Sequence, residues 1–503
     1  MANLSQIEHV VVLMLENRSF DNVFGWLYDP GNPSPFNVEP PPNFEGVYGK
    51  KLSNPGPKGD VPVGRGQTPT DPYPDPGEPY EDVYEQLHNV PAVALKDTPP
   101  PPVASPNMKG FLNNYARRNT QNPEIIMNCF TPATLPVLSS LALHYGICDH
   151  WFCSIPSQTL CNRSFIQAGT SSGYVDNQGD GAIFVNKTPT IYNLLSEARR
   201  TWKVYTAGWT VTSLVMITQE NVWDYALRPG YFEFLHDFEK DAEKPGGLPN
   251  YSFIEPNYMD SLRWGPENDM HPESHAVQLY GVSNVEEGDR LVHRVYSAVR
   301  NSPDWDKTLL LIIFDEHGGC YDHVPPLNTT APDNKVIPQS QPGGSGFAFD
   351  RLGLRVPAVV VSPFTAAGTI LNDVYDHTSV LKTVMRSFGI GTDGLGRRAA
   401  VANDLGKALN LGAVRADSPP IPTPTEPEVG ALQKTVALGR LLMHATDKPI
   451  TALHKASLSE AARRLGRNDL ADQAQRATSA LDAEAVAVKL EAELWKRRHA
   501  ISQ

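Results

Sequence analysis

The stretch that decides the fold is Val10-Val-Val-Leu-Met-Leu15, an unbroken apolar run that passes directly into the polar segment Glu16-Asn17-Arg18-Ser19-Phe20-Asp21. A run of this length, partly β-branched, is typical of a strand that is buried on both faces of a parallel sheet. The same form recurs at Thr308–Phe314, which is followed by Asp315-Glu316-His317-Gly318-Gly319, and at Val356–Ser362. These runs predict the central strands of one sheet.

Helical patterns lie between the strand candidates. They cover Pro132–His144, Ile191–Arg199 and Gly288–Arg300, and Trp202–Tyr205 is a further, shorter strand candidate. Strands that alternate with helices indicate an α/β fold. We therefore expect a mostly parallel central sheet sandwiched by helices.

Composition narrows the class of protein. The chain has 503 residues, and 43 basic against 56 acidic side chains give a net charge of −13. An acidic chain repels nucleic-acid phosphates, so we expect no nucleic-acid partner. No apolar run approaches the roughly 18–20 residues of a transmembrane segment, and the first residues lack the pattern of a signal peptide. We expect a soluble protein, cytoplasmic as the sequence stands, or secreted or periplasmic if a signal has been removed.

Cysteine and proline usage adds two expectations. Five cysteines are an odd, low number that does not indicate a disulfide framework or a cysteine-based zinc site. Of 45 prolines, 20 lie between Pro30 and Pro106. We interpret residues 28–107 as a long ordered excursion of the main domain that carries one helix, Tyr80–Asn89.

A second proline run, Pro419–Pro427, indicates a boundary, because the chain becomes rich in Ala, Leu, Glu, Lys and Arg after it. We predict a catalytic domain over 1–418 and a helical C-terminal region over 428–503, with three to four helices. Ser457–Glu460 resembles a capping box, and Leu481–His499 a long amphipathic helix. These helices either pack against the core or join subunits into a homo-oligomer.

Acidic and amide side chains follow two of the buried strands. Glu16 and Asn17 follow the first strand, and Asp315 and Glu316 follow the strand at 308–314. Ligands of α/β folds bind at the carboxyl ends of strands, and carboxylates buried there are stabilised by a cation. Oxygen donors suit a hard divalent ion. Each acid could instead cap a helix or lie in a solvated turn, but two such clusters make that alternative weaker.

Histidines and one threonine supply further candidates. His271, His317 and His377 lie in polar segments and are suited to general acid–base chemistry, although each alone is more often a capping or core residue. Thr159 precedes a helix-like segment, where backbone N–H groups form an anion site. Arg163, one turn later, could pair with a phosphate. On spacing alone, Thr159 is better explained as a helix N-cap.

Taken together, these segments resemble a phosphoesterase family that contains bacterial phospholipases C, plant non-specific phospholipases C and a bacterial acid phosphatase, and that is related to the alkaline phosphatase superfamily. The resemblance runs in order over about 1–390. It is carried by IEHVVVLMLENRSFDNVFGWL at 7–27, PDPGEPYEDVYEQL at 74–87, MKGFLNNY at 108–115, TLCNR at 159–163, NDMHP at 268–272, FDEHGGCYDHVPP at 314–326, RLGLRVPAVVVSPF at 351–364 and DHTSVLKTV at 376–384.

The resemblance implies an alkaline phosphatase-like fold, a divalent metal ion (Ca²⁺, Mg²⁺, Zn²⁺ or Mn²⁺) and roles for individual residues. It implies metal ligands at Glu16, Asn17, Thr159, Asp315 and Glu316, a nucleophile at Thr159, catalytic histidines at His271 and His377, and substrate contacts from Asn162, Arg163 and His317.

Two positions depart from the family pattern. Glu78 stands where the family often has histidine, and Cys161 stands where it often has proline. We assign Glu78 to the catalytic set, either as a cation ligand or as an acid with a raised pKa. We therefore interpret the proline-rich excursion as a wall of the active-site entrance that presents Glu78 towards the metal.

The sequence thus predicts a phosphoric-ester hydrolase of the phospholipase C type that acts on a phosphoester or phospholipid through a phosphothreonine intermediate. A phosphomonoesterase of the acid phosphatase kind on the same scaffold is the first alternative. A catalytically weak binding or assembly protein is the second, from another class, and the intact set of ligand residues argues against it.

Overall fold

The computed structural model describes residues 4–66, 68–91, 105–118, 120–178, 183–261, 263–272, 284–342, 344–424 and 451–501. Their strands are β1 His9–Leu15, β2 Ser53–Gly56, β3 Gly59–Pro62, β4 Gly64–Gly66, β5 Asn128–Phe130, β6 Gly146–Cys148, β7 Trp202–Thr206, β8 Phe232–Phe234, β9 Tyr251–Glu255, β10 Thr308–Phe314, β11 Ala358–Val361 and β12 Thr369–Leu371.

The helices of the described residues fall into α-helices and short 3-10 turns. The α-helices are α1 Phe20–Phe24, α2 Tyr80–His88, α3 Phe111–Tyr115, α4 Pro136–His144, α5 Thr159–Ala168, α6 Ile191–Glu197, α7 Leu214–Thr218, α8 Trp223–Ala226, α9 Leu235–Ala242, α10 Val285–Arg300, α11 Thr378–Ser387, α12 Gly396–Val401, α13 Ala452–Arg464, α14 Asn468–Arg476 and α15 Ala480–Ile501. The 3-10 turns are Leu4–Gln6, Pro123–Met127, Thr210–Thr212, Glu220–Val222, Trp305–Lys307 and Leu405–Ala408.

The main sheet has the strand order β12-β6-β11-β10-β1-β9-β7-β8. Its paired strands are parallel except at β11, which is antiparallel to both β10 and β6. The predicted α/β class with a mostly parallel sheet is therefore confirmed. The strand predicted at Val356–Ser362 is shorter than expected, and Pro357, which has no N–H to donate, lies just outside it.

Strands β1 and β10 form the middle of the sheet and are buried along their whole length. They run parallel in a register that pairs Leu15 with Phe314, so both strands end at the same level. The backbone N–H of Asp315 continues the ladder by donating to Leu15 O at 3.1 Å. Because the register is set by the two apolar runs, Glu16 and Asp315 emerge side by side.

Some predicted helix boundaries were wrong. Helix α4 begins at Pro136 rather than at Pro132, with the proline in the first turn, where no intrahelical N–H is needed. Helix α10 begins at Val285 rather than at Gly288, because the side chain of Asn284 caps it by accepting from the N–H groups of residues 286 and 287.

The proline-rich excursion carries more regular structure than predicted. Its helix α2 matches the predicted helix to within one residue. The β2–β3 hairpin was not predicted, and neither was strand β4, which pairs in parallel with β5. Residues 67 and 92–104 of the excursion lie outside the described residues. The excursion therefore packs as part of the main domain over the residues that are described.

The C-terminal helices α13, α14 and α15 belong to the same hydrophobic cluster as the sheet, into which they insert Leu458, Leu470, Leu490 and Leu494. The predicted capping box at Ser457–Glu460 is wrong, since these residues lie inside α13. That helix begins after Thr451, whose side chain accepts from the N–H of His454. Residues 425–450 lie outside the described residues, so the boundary between 1–418 and 428–503 stays a prediction.

Two further expectations concern cysteines and membranes. All five cysteines are free and buried, as expected for a chain without a disulfide framework. Among the described residues, none of the helices combines the length and the apolar character needed to cross a membrane.

Candidate active site

Two tight loops meet where β1 and β10 end. Asn17 has a left-handed backbone with φ of 56°, a conformation that asparagine tolerates better than most residues. Gly318 has φ of 61°, and a Cβ at this position would lie 2.0 Å from the backbone oxygen of Asn17. Only glycine allows the two loops to approach so closely. This contact holds the Glu16 and Glu316 turns against each other.

Two carboxyl groups, those of Glu16 and Asp315, pair with the guanidinium of Arg163 at these turns, and the carboxyl group of Glu316 lies next to them. Asp315 Oδ1 accepts from the N–H groups of Asn17 at 3.1 Å and Glu316 at 2.7 Å, and its Oδ2 accepts from Arg163 Nε at 2.9 Å. Arg163 Nη2 lies 3.3 Å from Glu16 Oε1. All of these side chains are buried. The cluster therefore carries more negative than positive charge.

The pKa values of two carboxyl groups in this cluster are raised. Burial raises the pKa of Glu16 well above its usual range, with Arg163 acting in the opposite direction. Burial, and then the neighbouring Glu78, raise the pKa of Glu316. Among the described residues, neither Glu16 Oε1 nor Glu316 Oε1 has a hydrogen-bond partner. A buried carboxylate oxygen without a hydrogen-bond partner destabilises the folded state unless a cation binds it.

These observations test the predicted metal site. The residues that offer oxygen here are Glu16, Asn17, Thr159, Asp315 and Glu316. Such a donor set fits a divalent ion, because Glu316 Oε1 has no hydrogen-bond partner among the described residues and Glu16 Oε1 has only the ion pair with Arg163. It does not select among Ca²⁺, Mg²⁺, Zn²⁺ and Mn²⁺. The set lies at the carboxyl ends of the two central strands, as the sequence indicated.

Thr159 is the first residue of α5 and is 2% exposed. The N-cap is Gln158, so the interpretation of Thr159 as an N-cap is wrong. Its Oγ1 donates to Asn17 Oδ1 at 3.4 Å, which brings the hydroxyl to the carboxylate cluster. Asn162 exchanges hydrogen bonds with the backbone of residues 155–158 and is fully buried. It holds the turn that presents Thr159.

Glu78 and His271 lie next to the cluster and line the cavity described below. The amide Nδ2 of Asn17 donates to Glu78 Oε2 at 3.0 Å and lies 3.0 Å from His271 Nε2. The Glu78 and His271 side chains are 3.8 Å apart. Burial lowers the pKa of His271, but Asp75 and Glu78 outweigh it and hold the pKa well above its usual value. The excursion thus brings Glu78 to the site.

Sequence reasoning did not assign Asp75 or Asp269 to the site. Burial raises the pKa of both carboxyl groups to about 7. Potential ligand atoms of Asp75, Glu78 and His271 lie within 4.8 Å of one another, a spacing that could hold a cation. Both aspartates stand inside the quoted motifs PDPGE and NDMHP, so their positions next to Glu78 and His271 were the available signal.

His317 and His377 lie behind the site and do not line the cavity described below. His317 Nε2 donates to Gln86 Oε1 at 2.8 Å, and burial lowers the pKa of His317 to about 3. His377 Nε2 donates to the carbonyl oxygen of Asp315 at 2.6 Å, and burial lowers its pKa as well. In this arrangement His377 orients Asp315, and His317 ties the acidic loop to the excursion.

A cavity of about 400 Å³ opens in front of Thr159. Its inner end is lined by Glu16, Asp75, Glu78, Asp269 and His271. Its sides include Ile183, Tyr258 and Met259, and its far wall comes from the C-terminal helices α13 and α15. Sequence reasoning did not connect these helices with the site, because they carry no motif of reactive residues.

Known proteins resemble this chain over most of its length. A model of the Phosphoesterase family matches residues 7–391. Non-specific phospholipase C3 of Arabidopsis thaliana is 31% identical over 441 residues, which cover 83% of this chain and 76% of that protein. Non-specific phospholipase C5 of the same plant is 33% identical, and the alignment covers 82% of this chain and 76% of that protein. Phospholipase C B of Mycobacterium tuberculosis is 28% identical, with coverages of 86% and 82%.

Solved structures were compared as well. A protein of the alkaline phosphatase superfamily from Vibrio parahaemolyticus aligns over 55% of this chain and 64% of that chain, with a TM-score of 0.32 and 9% identity.

Proposed function

We propose, from the premise that the chain belongs to the phosphoesterase family and is a phosphoric-ester hydrolase, that it is a metal-dependent enzyme of the phospholipase C type with Thr159 as nucleophile. The observation that carries the proposal is the position of the Thr159 hydroxyl, 3.4 Å from Asn17 Oδ1 at the edge of a buried carboxyl cluster in which Glu316 Oε1 has no hydrogen-bond partner among the described residues. The relatives named phospholipase C support the reaction class.

The metal would be held by Glu16, Asn17, Thr159, Asp315 and Glu316. When bound, it supplies positive charge that lowers the pKa of a hydroxyl and neutralises phosphoryl oxygens. The threonine oxygen then attacks phosphorus, the P–O bond to the alcohol breaks, and a phosphothreonine forms. Water hydrolyses this intermediate and restores the hydroxyl.

The remaining side chains position the reactants. Arg163, held by Asp315 and lying over the ring of Tyr258 at 5.4 Å, brings a buried positive charge to within one helical turn of Thr159. It offsets part of the charge that develops on the phosphoryl group. His271 lies in the cavity, where a leaving alkoxide would emerge, and we assign it the transfer of a proton to that oxygen.

A phosphomonoesterase is the second candidate. The cavity of about 400 Å³ is close to the lower end of the roughly 300–1,000 Å³ typical of small-molecule sites. The cavity has room for the head group or a short organic group of an ester. A monoester of a small alcohol also fits into this volume.

The test is an assay of phosphatidylcholine, a generic phosphodiester and a generic phosphomonoester, with divalent metal added or chelated. We expect turnover of phosphatidylcholine that needs metal and that falls by about 10³-fold or more in Thr159→Ala. Acid quenching of the wild type with labelled substrate should trap label on Thr159.

Each other outcome decides between the alternatives. Turnover of the monoester alone would remove the phospholipase proposal and leave the phosphomonoesterase. Unchanged activity in Thr159→Ala would contradict the assignment of the nucleophile. If none of the esters were turned over with any common divalent ion, the remaining alternative would be a catalytically weak binding or assembly protein.

A further inference from the structure

The far wall of the active-site cavity consists of residues outside the family match, which ends at residue 391. Leu453, His454 and Ala456 come from α13, and Ala480 and Ala483 come from α15. The inner end of the same cavity holds Thr159 and His271. The C-terminal helices are therefore part of the active site, although they supply none of the reacting groups assigned above.

This wall is fixed to the main domain by polar contacts. Glu491 on α15 accepts from Thr210 Oγ1 at 2.6 Å and from the N–H of Val211 at 3.3 Å. Glu484 accepts from Ser261 Oγ at 2.9 Å, at a point beside the cavity residues 258–260. Such anchors, together with the shared hydrophobic core, give the wall a defined position relative to Thr159.

The two ends of the cavity differ in chemistry. The inner end is acidic, whereas the wall contributes Leu453 and alanines, together with Thr451 and His454, next to Met259 and Ile183 on the sides. Leu453 also lines a narrow crevice that leads to Glu16 between Tyr258 and Met259. An ester whose phosphorus lies at Thr159 must extend outward, because Thr159 is backed by the packed core. Its organic part then meets the wall.

We infer that this wall, formed by α13 and α15 with Leu453 as its principal side chain, binds the uncharged organic part of the phosphoester and determines by size which esters are accepted. The inference rests on the proposed function, since it places the phosphoryl group at Thr159. Long acyl chains remain outside a cavity of about 400 Å³, so selection acts on the atoms nearest the phosphate.

The experiment measures binding of non-hydrolysable phosphonates by calorimetry with excess divalent ion. Methylphosphonate probes the inner end alone, phenylphosphonate reaches the wall, and naphthylphosphonate exceeds it. For Leu453→Trp we expect about tenfold weaker binding of phenylphosphonate with unchanged binding of methylphosphonate, because the indole takes up the room of the ring. For Leu453→Ala we expect tighter binding of naphthylphosphonate.

The matched control is Leu481→Trp, since Leu481 is half-buried in the same layer but does not line the cavity. It should leave all three affinities unchanged. Equal effects of Leu453→Trp and Leu481→Trp, or an effect of Leu453→Trp that is the same for methyl- and phenylphosphonate, would overturn the inference and leave the proposed function standing. If the wild type bound none of the phosphonates, the proposed function would fail together with the inference.

Discussion

Two acidic clusters arise from the same pair of loops, and they differ in how their charge is balanced. The catalytic cluster consists of Glu16, Glu78, Asp315 and Glu316. The Arg355 cluster consists of Asp21, Asp322, His323 and Arg355 and lies a few residues further along both loops. Both clusters are mostly buried. Potential ligand atoms of Asp21, Asp322 and His323 lie close enough together to hold a cation, as do those of Glu78 with Asp75 and His271 beside the catalytic cluster.

In the Arg355 cluster the protein supplies the positive charge itself. Arg355 donates to Asp21 Oδ1 at 2.8 Å and to Asp322 Oδ1 at 3.0 Å, and His323 Nδ1 lies 2.5 Å from Asp21 Oδ2. Burial raises the pKa of Asp21, but His323 and Arg355 outweigh it and leave the pKa below its usual value. Burial raises the pKa of Asp322 in the same cluster, as it raises the pKa of Glu16 and of Glu316 in the catalytic cluster, so among these four carboxyl groups only that of Asp21 has a lowered pKa.

The comparison teaches that a group of buried acids becomes a candidate site when its charge is left uncompensated. Distances alone therefore mark a possible cation site in the Arg355 cluster and another beside the catalytic cluster. Arg355 pairs with both Asp21 and Asp322 and makes the Arg355 cluster a structural ion network. In the catalytic cluster Arg163 pairs with Glu16 and Asp315, but among the described residues no arginine or lysine pairs with Glu316. The three predictions below test this difference by breaking one cluster at a time.

Arg355→Met breaks the balanced cluster and should have the largest effect on stability. It leaves Asp21 and Asp322 buried without their cation, which costs about 3–5 kcal/mol in the free energy of unfolding. Urea denaturation measures this loss. Arg386→Met is the control, because the exposed pair of Arg386 with Asp404 contributes less than about 1 kcal/mol. Equal losses in the two variants would contradict the structural role of Arg355.

Glu316→Gln breaks the unbalanced cluster and should act through the metal. Saturating divalent ion at about 100 times its Kd stabilises the wild type by about 2.7 kcal/mol, seen as a higher melting temperature. We expect Glu316→Gln to lose this response and, with chelator present, to be at least as stable as the wild type, because a buried carboxyl is removed. Asp322→Asn should be less stable yet keep the full response. The opposite pattern would show that the clusters are misassigned.

The pH dependence of the Arg355 cluster is the smallest of the three effects. Burial lowers the pKa of His323, but Asp21 outweighs it and raises the pKa above the usual value. Protonated His323 therefore stabilises the fold fully below the ordinary pKa of about 6.5, and the stabilisation is lost as the pH rises through the higher folded-state value. Unfolding measured from pH 6 to pH 9 should show a steeper loss in the wild type than in His323→Gln. Parallel curves would exclude a raised pKa.

Much of the fold could be predicted from local sequence. The runs at 10–15 and 308–314 identified the two central strands, because a strand buried on both faces needs apolar residues at every position. The short strands β2–β4 of the excursion were missed, since their glycines and prolines give no alternating pattern. Helix starts at Pro136 and Val285 depended on caps that a periodicity argument does not locate.

Some residues of the candidate site could be predicted from the sequence, and others could not. Glu16 and Asp315 could be found from the ends of the strands, and Thr159 from its motif. The buried positions of His317 and His377 could not, because the sequence around a histidine does not show whether its ring faces a cavity or a backbone carbonyl. Leu453 had no local signal at all, since an apolar residue on a helix indicates packing first.

The sequence by itself determined the central strands, the family motifs and the acidic residues that follow the strands, because these depend on residues that are neighbours along the chain. The tertiary structure alone decided which acids are neutralised and what encloses Thr159. Arg355 reaches Asp21 from 334 residues away, and α13 reaches the cavity from beyond the family match. Charge compensation and cavity shape depend on distances in space, which packing sets and which sequence separation does not reveal.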